Sequence, residues 1–554
     1  MNNKQIANAF NRLGDLMELQ DENTFKIRSY RNAYLTLRKL PEPLSEMSDA
    51  DINSIKGVGK AIAGKIRELL NTGEMATLNK YKEQIPEGIQ ELLGIKGLGV
   101  KKIRQLWQEM GIESTGELYY ACNENRLIAL KGFGLKTQED IRQKIEYHRQ
   151  SRNKFLYASL EKEAKNLVSE LRKKLDIKVE LTGAIRRKMP ILRGIEILIE
   201  MNELPADIFN ENFITLTEKT PDYYRVKTAN QTPVRLYTST PDEWAFKLFQ
   251  TTGANDFYKI ILKNIDLEQA KKADTEAEIF EQAGYAFAPP ELRDNHENIA
   301  LAKSNNLPTL ITENDIKGVL HNHSTYSDGI NTLREMAEYA RDKGYAYLGI
   351  TDHSKSAFYA NGLKAERVLE QWAEIDELNA ELAPFRIFKG IESDILNDGS
   401  LDYDEDILRR FDFIIASVHS NLKMDEAKAT QRLLTAIENP YTTMLGHPTG
   451  RLLLSRKGYP IDHAKIIDAC ATNNVSIELN SNPLRLDLDW EWIPYALEKG
   501  VKIAINPDAH STRGIHDIHY GVCVARKGGL TAVQCVNYLT AEEFEAYCTK
   551  KIPL

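Results

Sequence analysis

The chain has few cysteines, and none of them are paired in sequence. Cys122, Cys470, Cys523, Cys535 and Cys548 are scattered through 554 residues. No CxxC spacing occurs, so neither a disulfide framework nor a cysteine-based metal site can be built from them. Long apolar runs are missing too. No stretch reaches the roughly 18 residues that cross a bilayer, and the amino terminus shows no signal-peptide core. A cytoplasmic protein without a membrane partner is expected. A surplus of positive charge is missing as well: 72 Lys+Arg face 80 Asp+Glu, a net charge of -8, which argues against a surface coated in nucleic acid. The deficit is uneven. Residues 1–150 hold 23 Lys+Arg and 20 Asp+Glu, a balance of +3, which leaves -8 - 3 = -11 for the rest. A polyanion partner is therefore expected near the start of the chain, and cations near its end.

A chain of this length exceeds one ordinary hydrophobic core, so two to four domains are expected. Residues 1–150 read as helical, with an internal repeat. "SIKGVGKAIAGKIREL" (54–69), "GIKGLGVKKIRQLW" (94–107) and "ALKGFGLKTQEDIRQKI" (129–145) share one plan. Each has Lys, then Gly-apolar-Gly, then a helix that begins with basic residues. Two glycines around one apolar residue permit a sharp turn, and the apolar residue plugs the core. The turn's N–H groups and the next helix N-terminus then face outward as an anion site. The glycines Gly57, Gly59, Gly97, Gly99, Gly132 and Gly134, with Lys60, Lys101, Lys102 and Lys136, form this candidate surface. Such units resemble helix-hairpin-helix motifs, which hold the nucleic-acid backbone without reading sequence.

Residues 151–314 mix helix and strand. "VELTGAIRR", "IEILIEM" and "TPVRLYTST" read as strands, a helix is expected near 243–250, and "AFAPPEL" reads as a connector. The last third is clearer. "KGVLHNH", "YLGITDH", "IFKGIESD", "FDFIIASVH", "TTMLGH", "VSIELNSN" and "VKIAINPDAH" are apolar runs, each followed by a helical stretch. Seven such units imply a parallel sheet covered by helices, most simply a barrel. Six of the seven deliver His, Asp or Glu where the strand ends, which is the rim that carries chemistry in β/α barrels.

Those side chains are His321, His323, Asp328, His353, Glu392, His419, His447, Asp508 and His510. So many imidazoles and carboxylates on one rim would oppose one another at high cost without a cation. Nine N/O ligands suit two or three divalent ions, and the imidazole content favours zinc, manganese or iron over calcium. Ion clusters of this kind support phosphoester hydrolysis.

The strings "HNHSTYSDG", "GITDHS", "GIESDIL", "ASVHS", "LGHPTGRLL" and "NPDAHS" resemble the PHP (polymerase and histidinol phosphatase) domain over about residues 315–554. That likeness implies a distorted seven-stranded (β/α)7 barrel. It also implies one metal on His321, His323, Glu392 and Asp508, and a second on Asp328, His353 and His510. A third would lie on His419 and His447, bridged by Glu392. Arg451 and Arg485 are candidate phosphate contacts, the alternative being exposed loop arginines.

Helix-hairpin-helix repeats, a mixed middle and a PHP barrel, in this order, resemble bacterial family X DNA polymerases. By that resemblance residues 1–80 form a lyase-like helical domain and 81–150 a fingers-like domain. Residues 151–290 form a nucleotidyltransferase-like α+β palm and thumb, 291–314 a linker and 315–554 the PHP barrel. Lys65 falls where such enzymes keep a sugar-phosphate lyase lysine, the alternative being a helix-surface phosphate contact. The family's palm pairs a Gly-Ser turn and two arginines with Asp-x-Asp on a strand and a third Asp on a neighbour. Here Ala184 follows Gly183, the Asp positions are read onto Ile195 and Ile197, and the third onto Arg235. A later turn, Thr252-Gly253-Ala254, again has Ala for Ser. Strand alternation turns Glu196 to the face opposite Ile195 and Ile197. A one-residue slip would bring it round, yet still as a lone glutamate beside Arg235.

The resulting expectation is a monomeric, metal-dependent DNA phosphodiesterase, a 3′-to-5′ exonuclease acting on gapped or 3′-ended DNA in repair, whose polymerase carboxylates are lost. An active polymerase with an attached nuclease and a small-molecule phosphatase of the histidinol-phosphate type are the alternatives.

Overall fold

The computed structural model describes residues 1–40, 42–95, 98–150, 154–210 and 212–549. The chain forms two compact units: residues 1–122 with 127–148, and residues 123–126 with 149–554. All five cysteines are buried, with free thiols. Among the described residues, no helix is long and apolar enough to cross a membrane.

The first unit is helical throughout. Its repeats appear as helix pairs joined by the glycine turns. Asp49–Ser54 precedes Lys60–Thr72, Glu87–Leu92 precedes Val100–Met110, and the short Arg126–Ala129 turn precedes Leu135–Gln150. The apolar residue between the glycines is buried in each copy: Val58, Leu98 and Phe133 all join one core with Ile62, Ile66, Ile103 and Leu106. Burial of these three side chains, at about 1.5–3 kcal/mol each, locks the turns to the body.

In the second unit, helix Tyr157–Leu175 lays Leu160, Ala164, Leu167, Val168 and Leu171 against a five-stranded sheet. The spacing is that of one helical face. Across that sheet the strands run Val179–Leu181, Ile195–Ile199, Pro233–Thr238, Tyr224–Thr228 and Ile214–Lys219. Helices Trp244–Thr252, Asn255–Leu262, Leu267–Lys271 and Glu276–Gln282 follow. The segment expected as a linker is packed instead: it carries helix Glu297–Lys303 and the fully buried Arg293. Burial there is sustained by an ion pair, with Arg293 Nη1 2.6 Å from Glu276 Oε1.

The carboxy-terminal part is a nearly closed parallel barrel. Its seven strands lie in chain order: Gly318–Val319, Tyr347–Ile350, Arg386–Asp394, Phe413–Ser417, Met444–Leu445, Ser476–Asn480 and Ile503–Asn506. They are apolar along their length because helices cover one face while the other lines the interior. The barrel floor is aromatic: Tyr347, Phe388 and Phe413 meet Phe544 of the terminal helix Ala541–Thr549. Gly349 and Gly390 make room for it, since a Cβ on either would lie 2.6 Å from the Phe413 ring.

An ion pair ties the first helix of this unit to the barrel. His519 Nε2 lies 2.9 Å from Glu161 Oε1, and His519 Nδ1 lies 2.7 Å from Glu313 Oε1. Burial would raise the Glu161 carboxyl, but His519 and Lys165 bring it down to about 2. Contacts with the Cys523 thiol and then Glu161 push His519 up to about 11. The carboxylate's contribution is therefore present above its ordinary value of 4.5 and lost as pH falls toward 2. The imidazolium's contribution is full below 6.5 and lost as pH rises through 11. His519→Ala should lower stability at pH 7 by about 1–3 kcal/mol and flatten the acid limb of the stability profile, measured by denaturant unfolding across pH.

Candidate metal centre

Barrel closure brings the two ends of the sheet together. Asn322 and Ala509 form a parallel bridge, with His323 N–H donating to Ala509 O at 2.8 Å and Ala509 N–H to His321 O at 3.2 Å. That closure sets His321 and His323, just past the first strand, beside Asp508 and His510, just past the last. His353 follows the second strand and bridges to Glu392 on the third, while His419 and His447 follow the fourth and fifth. Asp508 and His447 hold positive φ, +52° and +21°. Non-glycine residues rarely adopt that backbone, and where they do it tends to mark functional sites.

Glu392 is the centre of the arrangement. Its Oε1 lies 3.4 Å from His321 Nε2, 3.1 Å from His419 Nε2 and 3.0 Å from His447 Nε2. Its Oε2 lies 3.6 Å from His323 Nε2 and 3.0 Å from His353 Nδ1. On one side, His323 Nε2 is 3.1 Å from Asp508 Oδ1. On the other, Asp328 reaches His353 Nε2 at 3.6 Å and His510 Nε2 at 3.3 Å. Four overlapping groups result, each with ligand atoms within 4.8 Å of one another: His323, Asp328, His353 and His510; His321, His323 and Asp508; His353, Glu392 and His419; and Glu124, Asp508 and His510. All nine sequence-selected side chains thus converge.

The donor set fits divalent cations. His321 Nε2, both ring nitrogens of His353, His510 Nε2, Asp328 Oδ2 and Glu392 Oε2 are buried and make no hydrogen bond. Such groups are costly unless an ion takes them. The carboxylates are ionised. Despite burial, His419, His321 and His353 hold the Glu392 carboxyl well below its usual range, and His510 and His353 do the same for Asp328. Burial, then His510 and His353, lower His323 to about 3, so it is neutral. Against burial, the neighbouring carboxylates raise His321, His353, His419 and His510, so a cation binding there would displace protons from these rings.

Several supporting groups lie outside the sequence-selected set. Asp394 Oδ1 takes His419 Nδ1 in a short contact and accepts Ser356 Oγ on its other oxygen at 2.8 Å. Asp352 accepts from Ser324 N–H at 2.8 Å and Gln371 Nε2 at 2.6 Å, holding the loop that carries Asp328. Glu124, in the short segment 123–126 that groups with this unit, places Oε2 3.1 Å from His510 Nε2. Asp394 was readable in principle, because it lies two residues beyond Glu392 on one strand face. Glu124 carried no such signal.

The two arginines behave differently from each other. Arg485 is buried, with Nε 3.7 Å from Asp508 Oδ2. Arg451 is held by its own loop, donating from Nε to Arg485 O at 2.9 Å and pairing with Leu486 O and Asp489. Its guanidinium is thus oriented by its own loop, at the carbonyls of Arg485 and Leu486.

The palm reading needs a correction. Ile195, Ile197 and Arg235 do not share a face. Glu196 pairs with Arg235 across parallel strands, while Ile195 and Ile197 are fully buried against helix Tyr157–Leu175. The face toward the glycine turn carries Glu196, whose Oε2 accepts Ala184 N–H at 2.9 Å and whose Oε1 lies 3.6 Å from Arg235 Nη1. Nor are the turn's arginines turned to a ligand. Arg186 pairs with Glu276 at 2.6 Å and Thr252 Oγ1 at 2.6 Å, and Arg187 with Asp294 at 2.9 Å. Among the described residues, no group of three ligand side chains forms in this sheet.

In the helical unit, Gly57 and Gly132 have φ +89°, which the turn requires. Gly59 and Gly99 have ordinary φ of -78° and -73°. A Cβ at Gly59, Gly99 or Gly134 would meet nothing within 4 Å. Packing within the chain therefore gives no reason for glycine there, whereas a closely approaching partner does. Lys60, Lys101 and Lys136 are exposed around them, Lys102 lies over the Phe133 ring at 5.3 Å, and Lys65 is half-buried on helix Lys60–Thr72. Gly97 lies outside the described residues.

A helical unit with exposed glycine turns and a histidine-lined parallel barrel together define a multidomain protein of the helix-hairpin-helix and PHP classes. The comparisons agree: residues 1–75 match a helix-hairpin-helix domain, 89–146 a SAM-like helix-hairpin-helix tandem and 320–482 a PHP domain. The chain is 34% identical over 570 aligned residues to the DNA polymerase/3′-5′ exonuclease PolX of Bacillus subtilis (strain 168), covering 99% of both. It belongs to that PolX family. Its barrel region is also similar to smaller proteins. A probable phosphatase of Thermoanaerobacter sp. (strain X514) is 30% identical over 40% of this chain and 91% of its own length. Another, of Acetivibrio thermocellus, is 29% identical over 34% of this chain and 78% of its own.

Proposed function

We propose that the protein is a DNA-directed, metal-dependent phosphodiesterase, a 3′-to-5′ exonuclease in repair, without polymerase activity. The observation that carries this is the convergence of nine ligand side chains around Glu392. By this reading His321, His323, Glu392 and Asp508 hold one ion and Asp328, His353 and His510 a second. His419 and His447 share Glu392 with a third. Manganese and zinc suit the donors best, and iron is compatible. Ions held by these residues would supply Lewis-acid chemistry for phosphoester hydrolysis at neutral pH. The chain's own residues hold the ligand atoms in register, exclude bulk water by burial, and place Arg485 at the edge of the site. Exposed glycine turns hold the DNA backbone. Residues 1–80, 81–150, 151–290 and 315–554 serve as lyase-like, fingers-like, palm and barrel modules. All ligands come from one chain, which suits a monomer, and the free buried cysteines suit a reducing cytoplasm.

Loss of polymerisation is supported by the palm face. It presents one glutamate, already engaged by Ala184 N–H and close to Arg235, where nucleotide transfer needs a carboxylate cluster for two ions. A paired assay tests the whole reading. On one gapped, 5′-labelled substrate with Mn²⁺, shortening from the 3′ end is expected without primer extension when nucleotides are added. Robust extension overturns the polymerase claim. Intact DNA together with rapid phosphomonoester turnover would move the assignment to the phosphatase alternative, which the similarity to the probable phosphatases favours for the barrel alone.

A further inference from the structure

One barrel strand, Ser476–Asn480, delivers no metal ligand. Its outward residues Ile477 and Leu479 pack in the barrel's outer core, so alternation turns Ser476, Glu478 and Asn480 the other way. Glu478 is fully buried. Its Oε1 meets His321 Nδ1 at 2.6 Å and accepts Asn506 Nδ2 at 3.0 Å. Its Oε2 accepts the His447 N–H at 2.8 Å and Asn480 Nδ2 at 3.4 Å. Asn480 Nδ2 in turn reaches Asp508 Oδ2 at 3.0 Å. One carboxylate therefore touches the side chain of one ligand and the backbone of another, and connects to a third through Asn480.

We propose that Glu478 is the positioning residue that sets metal affinity for the His321 and His447 subsites together. The inference rests on the metal-centre reading above. Glu478 acts in two ways. An acceptor at His321 Nδ1 keeps the proton on that nitrogen, leaving the Nε2 lone pair aimed at the space shared with Glu392 and Asp508. The same carboxylate anchors the His447 N–H, holding a non-glycine residue in left-handed backbone from which its ring faces Glu392. This strand delivers no ligand of its own, which leaves its inward carboxylate free for both contacts.

The test uses the full chain. Wild type, Glu478→Gln and Glu478→Ala are titrated with Mn²⁺ and with Zn²⁺ against a competing chelator, and bound metal is counted by elemental analysis. Circular dichroism serves as the folding control. Folded Glu478→Gln should bind about 10- to 100-fold more weakly and lose stoichiometry, because an amide cannot accept from every donor that surrounds the carboxylate. Wild-type affinity and stoichiometry in that variant would overturn the proposal. Should both variants fail to fold, long-range ¹⁵N NMR of wild-type His321 decides: Nδ1–H supports it and Nε2–H overturns it. DNA cleavage is not a readout here. A chain that binds metal through Glu478-dependent sites but leaves DNA intact would sink the exonuclease reading and leave this one standing.

Discussion

Glu392→Ala is expected to abolish nuclease activity, with a loss of about 10³-fold or more, and to lower the bound-metal count. Five imidazoles lie within 3.6 Å of this one carboxylate, so its removal takes away the single anionic group they all share. A loss of 10³ corresponds to about 4 kcal/mol in the barrier. The effect should exceed that of removing any single peripheral ligand. His419→Ala, for example, leaves the groups around His323 and Asp328 intact. Elemental analysis beside single-turnover cleavage of labelled DNA separates loss of metal from loss of fold, and chelation of the wild type should reproduce the defect reversibly. Unchanged cleavage by Glu392→Ala would remove the barrel from the mechanism.

The second large effect belongs to the exposed glycines. Gly59→Val, Gly99→Val and Gly134→Val in one protein should weaken DNA binding about 10- to 100-fold. Each added side chain enters open space, so it displaces no neighbour in the chain. Gly59 and Gly99 are N-cap residues, where valine is disfavoured relative to glycine by about 1 kcal/mol, so the melting temperature of the triple variant serves as its folding control. Affinity measured at several salt concentrations adds a check. With the turns held away from the phosphates, fewer counterions are released on binding, and the salt dependence should become shallower. A triple variant with wild-type affinity and salt slope would show that the turns are only structural.

The candidate metal centre was legible because its side chains, apart from Asp328 on a loop, sit at or just past strand ends, and strand ends can be counted from apolar runs without knowing which strands pair. The turns were legible because three copies repeat the same glycines, and Val58, Leu98 and Phe133 fill the core as their pattern requires. The palm was harder for the opposite reason. Whether Ile195 or Glu196 faces the turn depends on pairing with Pro233–Thr238, and a one-residue shift reverses every side chain. The fate of Arg186 and Arg187 was hidden as well, because Glu276 and Asp294 lie far along the chain and only tertiary packing brings them close. Glu478 escaped notice because its role is to accept hydrogen bonds inside the barrel, on a strand whose end carries no ligand.

Closure of the barrel has a consequence for the life of the polypeptide. His323 and Asp508 are 185 positions apart in sequence and 3.1 Å apart in space. The first contributes from the opening strand and the second from the last. In synthesis from the amino terminus, the side chains that meet at this rim cannot come together until the last strand has been made. If the barrel is the nuclease proposed above, its centre would stay incomplete until the final strand closes the ring, well after the glycine-turn helices have been synthesised.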